Sequence, residues 1–126
     1  MSAQATWLPG GRLHLHHGPI DLILQGWGDE RALQSGYAAA VARFDTILAE
    51  LVAELPALRS ESAAVTGPTA RLMAEAVAPF RPIFITPMAA VAGAVGQTIL
   101  TAFTRPGITR AYANNGGDIA LHLDPG

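Results

Sequence analysis

Between residues 30 and 55 the apolar side chains recur in steps of three and four, through Leu33, Tyr37, Ala40, Val41, Phe44, Ile47, Leu48, Leu51, Val52 and Leu55. That spacing draws one stripe along a helix, and the opposite face carries Arg43, Asp45, Glu50 and Glu54. Asp29 can cap its start by accepting from a free backbone N–H, and Pro56 stops it. A long amphipathic helix is therefore the element around which the rest of the chain must be arranged.

The segments on either side have a different period. Arg12-Leu13-His14-Leu15-His16 alternates, which is strand periodicity with Leu13 and Leu15 on one face. His17-Gly18-Pro19 breaks it and Ile20-Asp21-Leu22-Ile23-Leu24 resumes, as a hairpin or two adjacent strands. Beyond a polar linker at 57–66, Gly67-Pro68-Thr69 opens a shorter helix. Residues 83–86 read as a short strand, and Pro87 leads into a third helix from about Met88 to Phe103. Its first half is built from Ala, Gly and Val, which predicts a close approach to its backbone. Residues 108–114 and 119–123 read as two more strands on either side of Asn114-Asn115-Gly116-Gly117-Asp118. Asp124-Pro125-Gly126 is a turn signal that ordinarily introduces another element, so the expectation is one α+β domain over residues 1–126, truncated at its C-terminus.

Composition narrows the function. All eight cations are arginines, so lysine chemistry is excluded, and with no cysteine there is no thiol nucleophile, disulfide or cysteinyl metal site. The net charge is −2 with no basic run, which argues against a nucleic-acid partner. Residues 82–104 carry no charge, but their prolines, glycines and threonines suit a core strand and helix better than a bilayer span. No signal peptide is apparent and cysteine is absent, so a cytoplasmic location is expected. Only 14% of residues are charged, against a typical ~25%, which suits either a homo-oligomer interface or a missing piece of chain.

Two places can meet a ligand. In the glycine turn, Asn115, Gly116 and Gly117 can present backbone amides to a phosphate, with Asp118 meeting a ribose hydroxyl or a metal; the plain alternative is a hairpin turn. At the start of the third helix, Thr86, Pro87 and Met88 precede free N–H groups, and Gly93 leaves room for a bulky group; the plain alternative is tight packing. His14 and His16 share a strand face while His17 points away, and no neighbouring carboxylate completes a set, so no metal site is assigned. Asp21, flanked by Ile20 and Leu22, reads as a lone acid on the solvent face, with a ligand role as the alternative; His122 reads as an ordinary sheet residue, and Trp7 and Trp27 as packing residues. No catalytic triad or paired-carboxylate spacing stands out, and no residue is assigned a catalytic role.

The run Thr86-Pro87-Met88-Ala89-Ala90-Val91-Ala92-Gly93-Ala94-Val95, followed by Tyr112-Ala113-Asn114-Asn115-Gly116-Gly117-Asp118-Ile119, resembles an uncharacterised ApbE-like protein family, and His17-Gly18-Pro19-Ile20-Asp21 fits it. The resemblance implies a T-fold-related α+β architecture, a mainly antiparallel sheet covered by one long and two shorter helices. It implies kinship with FAD:protein FMN transferases, hence a flavin or nucleotide ligand, FAD or FMN, with Mg2+ held only by a further C-terminal part. Ala92 and Gln97 stand where those enzymes carry a lysine and an aspartate. The expectation is thus a flavin- or nucleotide-binding protein, with a non-catalytic binding or assembly protein as the alternative.

Overall fold

The computed structural model describes residues 2–61, 63–80 and 85–125. Five strands, β1 (Gln4–Leu8), β2 (Arg12–His17), β3 (Ile20–Gly28), β4 (Ile108–Asn115) and β5 (Asp118–Leu123), form one antiparallel sheet in the order β1-β2-β3-β4-β5. Between β3 and β4 the chain builds a helical layer: α1 (Glu30–Ala53), the single turn α2 (Leu55–Leu58), α3 (Pro68–Val77) and α4 (Val91–Phe103). The architecture is α+β, as the sequence predicts.

The alternation in β2 and β3 has the expected consequence. Leu13 pairs with Leu24 and Leu15 with Leu22, and all four are buried beneath the helices with Ala111 and Ala113 of β4. The other face of the sheet, with His14, His16, Asp21, Ile23, Gln25, Trp27, Arg110 and Tyr112, carries no helix among the described residues. There the Arg110 guanidinium lies 4.3 Å from the centre of the Trp27 ring and the Tyr112 hydroxyl donates to Gln25 Oε1 at 3.2 Å.

The long helix starts where expected, with Asp29 Oδ2 accepting from Ala32 N at 3.0 Å. Its buried face is Gly36, Ala40, Phe44, Ile47 and Leu51, slightly rotated from the predicted stripe, and Val52 is exposed. The rotation is set by Gly36. A Cβ there would lie 2.7 Å from the Phe103 carbonyl oxygen, so the backbones of α1 and α4 approach closely at this point. Past the helix end, Glu54 receives the backbone N–H groups of Thr66 and Gly67, which hold its carboxyl below the ordinary glutamate value and tie the linker to α1. The buried hydroxyls of Thr69 and Thr98, 2.8 Å apart, join α3 to α4; Thr98 donates to Ala94 O, so Thr69 is the donor between them.

Three expectations need correction. A strand at the N-terminus was not foreseen: β1 is exposed along most of its length, so no alternating apolar pattern marks it. The third helix starts later than Met88, because residues 87–90 form a 3-10 turn and the α-helix begins at Val91. Of the strand expected at 83–86, residues 83 and 84 lie outside the described residues, and Ile85 and Thr86 belong to no strand. Among the described residues no helix is long and apolar enough to cross a membrane.

Candidate functional site

The sheet reverses from β4 to β5 through Gly116 and Gly117 alone, since Asn115 pairs directly with Asp118. Both glycines have positive φ, +61° and +102°, as the right-handed twist of a two-residue hairpin demands. The N–H of Gly117 donates to Asn114 Oδ1 at 2.9 Å, so that amide is already engaged. Asn115 reaches the other way and donates from Nδ2 to Ala92 O at 3.2 Å, clasping the first turn of α4 to the tip of the sheet.

That clasp brings the two sequence motifs together. Asp118, on the helix side of β5, lines a cavity of about 310 Å3 with Gly93 and Gln97 of α4, and Leu72, Ala76 and Ala90 give it an apolar floor. Among the described residues, a Cβ added at Gly93 would meet nothing within 4 Å, so this glycine faces the cavity without a neighbour there. The close backbone approach expected at this helix is mild: at Gly96 the nearest atom is Ala113 O at 3.6 Å, an ordinary contact.

Thr86, Pro87 and Met88 do not line this cavity. Pro87 is buried, and Met88 packs half-buried against the core. The free N–H groups expected around them are partly consumed by the 3-10 turn, where Ala89 N donates to Thr86 O and Val91 N to Met88 O. With no cation among the described lining residues and a carboxylate at its rim, the cavity suits hydroxyl donors and an apolar ring better than a bare phosphate.

The open face of the sheet carries a second cavity of about 400 Å3, lined by His14, Asp21, Ile23, Asn114, Gly116 and Gly117. The glycine turn therefore has one cavity on each side. Here the sequence reading needs its fourth correction: a carboxylate does complete the histidine pair. Asp21 of β3 sits opposite His16 in the register and accepts a hydrogen bond from, or pairs with, His14 Nε2. Strand periodicity within β2 shows only the two histidines; the third group arrives across the hairpin. His17 turns toward Phe44, as its opposite parity requires, and its Nδ1 is buried without a hydrogen-bond partner among the described residues. His122 is not a bystander, since its Nε2 lies 3.0 Å from Asp124 Oδ1 and 3.2 Å from Ile108 O.

A third cavity, about 490 Å3, lies at the outer edge between Trp7 of β1 and Tyr37 of α1, whose rings meet edge to face at 4.7 Å. The Tyr37 hydroxyl accepts from Gly26 N at 3.0 Å; burial pushes its pKa up, against the opposing effect of that bond. Both tryptophans thus pack on neighbours within the fold.

The sequence model of a protein family described as AbpE bacteria matches residues 5–126. No curated protein and no solved structure matches the chain. The match corrects the resemblance to the ApbE-like flavin transferases: the family found is named AbpE, and it is not the ApbE flavin transferase family.

Proposed function

The chain belongs to the AbpE bacteria family, and from that premise, which brings no activity with it, we propose that it is a binding protein for a nucleotide-type small molecule. The ligand's ring rests on Leu72, Ala76 and Ala90, and its sugar hydroxyls donate to Asp118, with the Gln97 amide beside them. Any phosphates extend outward, away from the carboxylate. Flavin nucleotides fit this description as well as adenine nucleotides, because both join a flat ring to a hydroxylated chain. One observation carries the reading: Gly93, Gln97 and Asp118, from two separate sequence motifs, line a single cavity with an apolar floor.

The test is a titration of the chain with FAD, FMN and ATP in turn, with and without Mg2+, followed by flavin fluorescence or calorimetry. Saturable binding is expected for at least one of them. Asp118→Ala should weaken it about tenfold or more, the worth of a hydrogen bond to a charged acceptor. Asp118 is exposed, so the variant keeps its fold. Binding of none of the three, or binding unchanged in Asp118→Ala, would dispose of the assignment.

A second reading, a homo-oligomeric assembly protein, has an observation of its own. Ile119, Leu121 and Leu123 are 59%, 67% and 69% exposed along the edge strand β5, on the face without helices. An apolar row on a free strand edge is the kind of surface that proteins ordinarily cover. Sedimentation velocity should find a dimer that Leu121→Glu converts to a monomer. A wild-type chain that stays monomeric at high concentration removes this reading.

A further inference from the structure

We propose that His14, His16 and Asp21 form a binding site for one divalent transition-metal ion of the zinc class, on the open face of the sheet. One ligand atom from each residue lies within 4.8 Å of the other two. Around a tetrahedral ion with bonds of about 2.0–2.1 Å, ligand atoms stand roughly 3.4 Å apart, so small side-chain rotations close the set. The two histidines are two residues apart on β2 and so share a face, and the β2–β3 register sets Asp21 directly opposite His16.

The surroundings favour a cation over a purely structural pair. Among the described residues, the Asp21 carboxylate has no side-chain partner other than His14, and the His16 imidazole makes no hydrogen bond. A sheet that needed only a cross-strand hydrogen bond would not need the second imidazole. Two imidazoles and one carboxylate also choose their metal: nitrogen ligands suit zinc, cobalt, nickel or copper, whereas magnesium and calcium take oxygen.

Three protein ligands leave a tetrahedral ion one position short. The cavity of about 400 Å3 beside His14 and Asp21, walled by Asn114, Gly116 and Gly117, gives a water or a small anionic ligand access to that position. The arrangement is thus of the open kind rather than the closed structural kind. It lies on the face of the sheet opposite the helices, whereas the Asp118 cavity lies against α4, so the two can be tested apart.

The experiment is a titration of the full chain, freed of any affinity tag, with Co2+ followed by visible absorption and with Zn2+ followed by calorimetry. One equivalent of each should bind, with cobalt bands of a low-coordinate site that zinc displaces and excess Mg2+ does not. His14→Asn, His16→Asn and Asp21→Asn should each lower affinity by more than the roughly 10–100-fold that loss of a ligand's outer hydrogen-bond partner costs. His122→Gln and Asp118→Ala should bind the metal as the parent does. Circular dichroism confirms that each variant is folded; all the altered side chains are at least partly exposed, so no core is disturbed. Absence of saturable zinc binding by the folded parent overturns the site. So does binding that survives all three ligand substitutions or is lost in His122→Gln.

Discussion

Phe103→Ala is expected to lower the stability of the chain by about 3–5 kcal/mol, the range for removing a buried aromatic side chain from a core. Phe103 is the last residue of α4 and is fully buried. Its ring stands 4.7 Å from that of Tyr37 on α1 and rests against the backbone of Gly26 on β3, where an added Cβ would meet ring atoms at 2.4 Å. One side chain therefore fastens α4 to both α1 and the sheet. A domain of ordinary stability has about 5–15 kcal/mol to lose, so the variant should unfold at much lower urea with an unchanged slope. There is a functional corollary, because the same helix carries Gly93 and Gln97 to Asp118. If nucleotide binding occurs there, the variant should lose affinity even where it remains folded. A loss below about 1 kcal/mol, outside the range for such truncations, would mean that α4 is held by contacts other than these.

The parts of the fold legible in the sequence are those whose pattern is local. The stripe from Leu33 to Leu55 predicted α1, and the alternation at Leu13 and Leu15 predicted that these two share a sheet face, which is the buried one. Strand β1 was illegible because it buries little: only Leu8 is half-buried, and Trp7, though it meets Tyr37, stays exposed. The buried face of α1 turned out to include Gly36, which no hydrophobic pattern can register since glycine has no side chain to count.

The candidate site divides in the same way. Gly93 and Asp118 were singled out from separate motifs, but that they share a cavity depends on Asn115 clasping Ala92, a contact across 23 residues. Thr86, Pro87 and Met88 sit at the expected helix entrance, yet the 3-10 turn consumes N–H groups that a plain α-helical start would leave free. Asp21 was read as an isolated acid because its neighbours in sequence are Ile20 and Leu22. Its neighbours in space are two histidines, and only the register of the hairpin says so. The family kinship could not be read correctly from short motifs at all: glycine turns and small-residue helix starts recur for steric reasons in unrelated chains.

Gly28→Ala should be the most damaging single-methyl change, at about 3–7 kcal/mol when backbone strain, overpacking and a displaced hydrogen bond act together. Gly28 has φ +145°, and its added Cβ would stand 2.1 Å from Gly107 O and 2.9 Å from Ile108 Cα. Those are backbone atoms, so no side chain can swing aside. The same carbonyl of Gly107 accepts from Asp29 N at 2.8 Å, and Asp29 caps α1. Here the chain leaves the sheet for the helices and returns to it, and the β3–β4 register shifts between Trp27 and Gly28. Moving Gly107 to make room would disturb the bulge, the cap and the first turn of α1 at once. Gly93→Ala is the matched control. It lies within α4 with no described residue inside 4 Å of the new methyl, so the gain in helix propensity should stabilise the chain by up to about 1 kcal/mol. Thermal unfolding of the two variants beside the parent should move in opposite directions. If Gly28→Ala melts with the parent, the close approach of residues 28 and 107 is not what sets the entry of α1.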